Sequence, residues 1–122
     1  MVPAARNMAE RVPALPLNAA ISAIVDACLS ADEHDWVVLL DDAGRPVRLV
    51  QRAALLRAEE YEFRVVTVPD VSSLDQVARA AMARPRPAQL RPLVCCDDDG
   101  RFYGLLRMER LLASLAAERA ID

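Results

Sequence analysis

The chain has no lysine: all fifteen of its basic residues are arginine, set against eighteen acidic ones, so the net charge is −3 and the pI is near 5.2. A nucleic-acid backbone calls for a basic face, and this balance supplies none. With lysine absent and alanine abundant, the composition points to a GC-rich bacterial genome, and an arginine by itself is weak evidence that a guanidinium is needed. There is one histidine, His34, in "SADEHD". It has no partner placed for catalysis and reads as a solvated residue near a helix C-terminus, where it meets the dipole. No apolar run approaches the roughly 18 residues that a membrane span needs, and Arg6, Glu10 and Arg11 interrupt the first residues, so no signal peptide or anchor is visible. The expected location is the cytoplasm.

Cysteine is also scarce, and its three copies have no zinc-type spacing. Cys28 lies in a helical pattern, whereas Cys95 and Cys96 are neighbours in a strand pattern. Adjacent strand residues point to opposite faces, so these two thiols do not converge on a metal or on each other. All three read as small buried hydrophobes. Ser30 and Ser114 have no base beside them, and no acid pair is visible, so the sequence offers no reaction centre.

What the chain does have is apolar material, 54% of 122 residues, enough for the core of one ordinary domain. It also has an internal repeat. Asp41, Asp42 and Gly44 fall on Asp97, Asp98 and Gly100 at an offset of 97 − 41 = 56, which also carries Val37–Val38 onto Leu93–Val94 and Leu55–Leu56 onto Leu111–Leu112. Upstream the offset is 53, with Pro16 on Pro69 and Ile21 on Leu74. The second copy gains its extra residues in "ARPRPAQLRP", a proline-rich surface loop or an extended basic strip.

Each copy predicts strand, helix, strand, strand, helix. A β-prone stretch ("VPALPL" or "RVVTVPD") precedes a helix whose buried stripe is Ile21, Ile24, Val25, Cys28 and Leu29, or Leu74, Val77, Ala78, Ala81 and Met82. Ser72, Ser73 and Asp75 read as helix-start residues. A hairpin follows, with an Asp and Gly turn between "WVVLL" and "PVRLV", or between "LVCC" and "FYGLL". The last helix is short in copy one and longer in "MERLLASLAAERA", where Leu111, Leu112 and Leu115 share a side. "CCDDDG" is thus a buried strand entering a solvated turn. A tight turn splays consecutive carboxylates, which speaks against a divalent metal on Asp97, Asp98 and Asp99. The expected fold class is α+β: two βαββα repeats packed sheet to sheet with pseudo-two-fold symmetry. The boundaries are 1–11 for an N-terminal segment, 12–60 and 61–117 for the repeats, and 118–122 for a tail that leads to a further domain if the chain is part of a longer protein.

The doubled pattern, and above all "RPLVCCDDDGRFYGLLRMERLLASL", resembles paired cystathionine β-synthase (CBS) domains, the Bateman module, from about Val12 to Leu115. The resemblance is stronger in the second copy. It implies a non-catalytic regulatory module that dimerises, binds an adenosyl or other phosphate-bearing ligand in a cleft, and controls an effector. The ligand candidates it supplies are AMP, ATP, adenosylmethionine or a cyclic dinucleotide, with no single cofactor fixed. The alternative is a degenerate pair that acts only in dimerisation or protein docking.

Nucleotide-binding members carry Gly, two apolar residues, Thr or Ser, two variable residues and Asp. Here the second copy reads "GLLRMER", with Gly104 kept, Arg107 at the hydroxyl position and Arg110 at the carboxylate position. The first copy reads "RLVQRAA", with Arg48, Gln51 and Ala54. Both ribose acceptors are gone, and Glu109 sits about 100° away around the helix from the lost one. Arg107 and Arg110 are three apart and share a face, which suits a phosphate or a cyclic dinucleotide; otherwise they pair with Glu109 and nearby aspartates. The positions that the resemblance assigns to ligand contact are Pro16, Trp36, Val37, Gln51 and Ala54, together with Pro69, Pro92, Leu93, Arg107 and Arg110. Trp36 suits stacking on a base, but reads better as packing.

Overall fold

The computed structural model describes residues 4–30 and 34–120, with the side chains of 118–120 excepted. In chain order the elements are α1 (Ala5–Met8), β1 (Ala14–Pro16), α2 (Ile21–Ser30), β2 (Trp36–Leu40), β3 (Pro46–Gln51), α3 (Arg52–Leu56), β4 (Glu62–Arg64), β5 (Thr67–Pro69), α4 (Leu74–Met82), β6 (Leu93–Cys96), β7 (Phe102–Leu106) and α5 (Met108–Ala120). They divide into two compact units, residues 12–65 and residues 1–11 with 66–122. The class is α+β, as expected. No helix among the described residues is long and apolar enough to cross a membrane.

In the unit of residues 12–65 the sheet order is β1-β2-β3-β4, with β1 parallel to β2 and the other pairs antiparallel. Ile24 and Cys28 of α2 pack with Val37, Leu39 and Val50, one face of the hairpin. Val38 and Leu49 on the other face are also buried, in keeping with strands that lack polar alternation. The other unit repeats the order: β5 runs parallel to β6, and β6 antiparallel to β7. Its core joins Leu74, Val77 and Ala81 of α4 to Leu93, Cys95 and Leu106, with Ala5 and Met8 of α1 added. Full burial of a leucine contributes about 1.5–3 kcal/mol, so each unit rests on its own apolar cluster.

The two Asp and Gly turns are near copies. Asp41 Oδ1 accepts from the amides of Ala43 and Arg45, both at 2.9 Å, and Asp97 Oδ1 accepts from those of Asp99 and Arg101 at 2.9 and 3.0 Å. Gly44 and Gly100 have φ of 80° and 78°, a region in which a side chain is strained. Each hairpin also slips register just before its aspartate, at Leu39/Leu40 and Cys95/Cys96. At α4, Ser73 and Gln76 form a reciprocal capping box, the helix-start role expected there.

Four local expectations need correction. "RVVTVPD" is not one strand: Val65 N–H donates to Val47 O and Val66 O accepts from Val94 N–H, so the chain leaves one sheet and enters the other between them. The stripes are narrower than predicted, since Ile21, Leu29 and Met82 are exposed at their edges. Leu112 is 59% exposed while Leu111 is buried, because one residue turns a helix by about 100°. Finally, the "ARPRPAQLRP" loop is no extended basic strip: residues 86–88 form a 3₁₀ turn, and Arg84 is buried inside the loop.

Candidate functional site

The hairpin registers decide which predicted ligand residues meet. In the first unit Trp36 lies opposite Gln51, Val37 opposite Val50, and α3, which carries Ala54, starts directly after Gln51. These four share one end of the sheet. Pro16 lies opposite Leu40, four residues away along β2, which at about 3.3 Å per residue is ~13 Å. The second unit is alike. Leu93 lies opposite Leu106, which puts Pro92, Leu93 and Arg107 at one end, whereas Pro69 lies opposite Cys96 at the other.

At the first of these ends an internal carboxylate already occupies the helix start. Asp35 Oδ1 accepts from Ala53 N–H at 3.2 Å, and its Oδ2 accepts from Gln51 Nε2 at 3.0 Å, so the unpaired amides of α3 and the residue at the hydroxyl position share one acid. Arg52 Nε donates to Cys28 O at 2.8 Å and ties α3 to α2. Ala54 is buried at 4% exposure and carries no polar atom in its side chain. Trp36 packs edge to face on Phe63 with ring centroids 6.4 Å apart, so in this unit it serves as a packing residue.

The second unit holds the cations. Arg107 donates from Nε to Glu10 Oε2 and from Nη2 to Glu10 Oε1 at 3.1 Å, and Arg110 Nη1 lies 3.5 Å from the same Oε1. Glu109 approaches Arg107 at 3.7 Å. The hydrogen bond to Glu10, partly offset by burial, pushes the Arg107 guanidinium up. Arg107 and Arg110 therefore do converge, around a single carboxylate, at the first turn of α5. Both remain about half exposed, at 44% and 48% of their side chains.

Glu10, which holds this cluster together, is the member that sequence reasoning missed. It arrives on a strap, residues 4–11, that lies along β7: Glu10 N–H donates to Leu105 O at 2.9 Å and Leu105 N–H to Glu10 O at 2.8 Å. A Cβ on Gly104 would come within 2.8 Å of Ala9 Cβ and 3.1 Å of Glu10 O, so this glycine is what lets the strap lie so close. A second missed group is Asp70, whose Oδ1 is buried without a hydrogen-bond partner among the described residues. Its backbone amide donates to Cys96 O, which places it at the end of the sheet away from Arg107.

The three thiols are enclosed. Cys28, Cys95 and Cys96 are free and buried. Burial, then the Asp70 charge and Cys96, pushes Cys95 up from 9.0 to about 12, and burial raises Cys28 and Cys96 as well. A thiol whose folded value lies above its unfolded one stabilises fully below the unfolded value, and that contribution drains as pH climbs through the folded value. Urea unfolding should accordingly show stability falling from about pH 9 upward through the thiol range. At pH 8 the native protein should leave Ellman's reagent uncoloured until denaturant is added; rapid reaction of the folded protein would contradict the burial.

Known proteins carry the same organisation. The family model described as CBS domain matches residues 62–117, most of the second unit. Three solved structures share the fold over nearly the whole chain. A CBS-domain pair with bound AMP from Klebsiella pneumoniae has a TM-score of 0.70 at 14% identity, covering 93% of this chain and 98% of that one. A CBS-domain pair in complex with 5′-methylthioadenosine and S-adenosyl-L-methionine has a TM-score of 0.69 at 17% identity, covering 98% and 99%. The CBS-pair protein CBSX2 from Arabidopsis thaliana has a TM-score of 0.68 at 14% identity, covering 98% and 99%. No curated protein sequence matches the chain significantly.

Proposed function

We propose, from the premise that this chain is a tandem pair of CBS domains, that it is a non-catalytic regulatory module whose second repeat takes a phosphate-bearing ligand at Arg107 and Arg110. One observation carries this reading: two guanidinium groups at the start of α5 already surround a carboxylate, with contacts to it at 3.1 and 3.5 Å. Arginine binds phosphate oxygens with the same forked geometry that it uses for carboxylate. AMP in the Klebsiella pneumoniae pair supports an adenosine-bearing ligand as the class to try first. The lost ribose acceptors argue for weaker nucleoside recognition than a full motif gives. Each missing charged hydrogen bond costs about 1.5–3 kcal/mol, or roughly ten- to a hundred-fold in affinity. Phosphate-rich ligands, ATP and cyclic dinucleotides, are therefore favoured over AMP and adenosylmethionine.

The module acts by binding one packing of the pair better than another and so biasing an attached or separate effector in the cytoplasm. Self-association is part of the reading. An apolar groove between α4 and α5, lined by Met82, Leu90, Leu112 and Leu115 among others, leaves Leu90 77% exposed and supports a homodimer. A second reading, a docking module without ligand, is favoured by the Asp35 carboxylate that fills the helix start of α3.

A thermal-shift panel of AMP, ATP, adenosylmethionine, NAD and cyclic dinucleotides separates the two. A ligand at a hundred times its dissociation constant stabilises by about 2.7 kcal/mol, which raises the melting temperature by several degrees. The shift should vanish in the Arg107→Ala/Arg110→Ala variant. Silence across the whole panel would leave the docking reading.

A further inference from the structure

We infer that Glu10 is a built-in competitor for the anion site, and that an incoming phosphate is coupled to the strap of residues 4–11 because it must displace the Glu10 carboxylate from Arg107 and Arg110. This rests on the anion-site reading given above, and it adds the regulation of that site.

The Glu10 carboxylate makes the side-on, two-oxygen contact with Arg107 that a phosphate would make, and Oε1 also faces Arg110 at 3.5 Å. It is the most enclosed of the three side chains, at 20% exposure. Nor is it a chance surface pair. Its backbone is clipped to Leu105 in both directions. The strap is fastened further by Ala5 N–H to Ser72 O at 2.7 Å and Arg6 N–H to Asp70 O at 2.9 Å, with Ala5 and Met8 buried in the core of the unit. The carboxylate is thus held at high effective concentration over the arginines, and an external anion has to outcompete a tethered one.

A phosphate dianion brings more charge and more acceptor oxygens than a carboxylate, so it can win, but part of its binding free energy goes into the exchange. The coupling is reciprocal. Whatever loosens the strap tightens anion binding, and anion binding loosens the strap. The strap meets both ends of the β5-β6-β7 sheet, at Leu105 near the arginines and at Asp70 beyond β5, so its release would carry a signal from the bound anion to the far side of the unit.

Calorimetric titration with inorganic pyrophosphate tests this, with hydrogen exchange at the Glu10 and Leu105 amides as a second readout. Glu10→Gln should bind pyrophosphate at least tenfold more tightly than the wild type, and Glu10→Asp, with its carboxylate drawn back by one methylene, should fall between them. Saturating pyrophosphate should speed exchange at both amides in the wild type. Both variants retain the backbone bridge; if Glu10→Gln fails to fold, the Asp variant and the wild-type exchange decide the matter. Equal affinity in wild type and variants, lost only in Arg107→Ala/Arg110→Ala, would overturn the competitor role and leave the anion site standing. Absence of binding in every form would overturn both.

Discussion

Arg84→Met should destabilise the protein by about 3 kcal/mol and free the loop of residues 83–92. The Arg84 side chain runs under that loop at 9% residue exposure and reaches four backbone carbonyls. Nε donates to Ala81 O at 3.2 Å, Nη2 to Gln89 O and Arg91 O at 2.9 and 2.8 Å, and Nη1 to Pro92 O at 3.5 Å. Among the described residues no carboxylate accepts from it; the carbonyls take the place of water around a buried cation. Burial, and then the Arg91 charge, pulls its guanidinium below the ordinary arginine value. An arginine stays charged all the same.

Methionine fills much of the same volume and removes every side-chain donor, so the cost is stranded acceptors rather than a cavity: Gln89 O, Arg91 O and Pro92 O lose their donor, while Ala81 O keeps the Arg84 backbone N–H. Some of them regain water, which is why the expected loss stays below the sum of four charged hydrogen bonds. Lysine should recover less than half of it, since an ammonium lacks the planar fork that reaches carbonyls on several sides. Urea denaturation gives the loss, and hydrogen exchange in the loop locates it. A loss under 1 kcal/mol would mean that the loop holds itself.

Gly104→Ala is the second large effect, about 2–4 kcal/mol, and it should act entirely through the strap. The glycine is buried in β7, and the new methyl would sit 2.8 Å from Ala9 Cβ and 3.1 Å from Glu10 O. One neighbour is backbone, so the strap has to lift. Lifting gives up two strand hydrogen bonds, each worth about 1 kcal/mol net, and exposes Met8, whose burial contributes roughly 1.5–3 kcal/mol. Deleting residues 1–11 should cost a similar amount. In that truncated background Gly104→Ala should be nearly neutral, because the clash has no partner left. If the substitution costs as much with the strap absent, its harm comes from β7 alone.

The repeat was legible because it is written in local chemistry. Asp41 with Gly44 and Asp97 with Gly100 announce a turn that the backbone then builds twice with matching hydrogen bonds, and Ser73 with Gln76 announces a helix start. The two arginines also met in space, because Arg107 immediately precedes α5 and Arg110 lies in its first turn. What stayed hidden was long-range. Glu10 lies 97 residues from Arg107, in a segment whose few residues show no period. Its only trace in the sequence is that Gly104 stands where the first copy has Arg48, a sign of close backbone approach. Arg84 was hidden for another reason. In a chain with no lysine, a structural arginine looks like any other, and a proline-rich stretch reads as solvated until its carbonyls are seen to face inward. Pro16 and Pro69 shared an alignment with the other ligand positions, but strand register puts each at the opposite end of its own sheet.

The most direct measurement is an NMR titration that follows the arginine Nε–Hε resonances while ATP is added. The resonances of Arg107 and Arg110 should move together and saturate, those of Arg48 and Arg52 in the first repeat should stay in place, and replacing Arg107 should abolish the response. Movement confined to the first repeat, or none at concentrations that shift the melting temperature, would contradict the account.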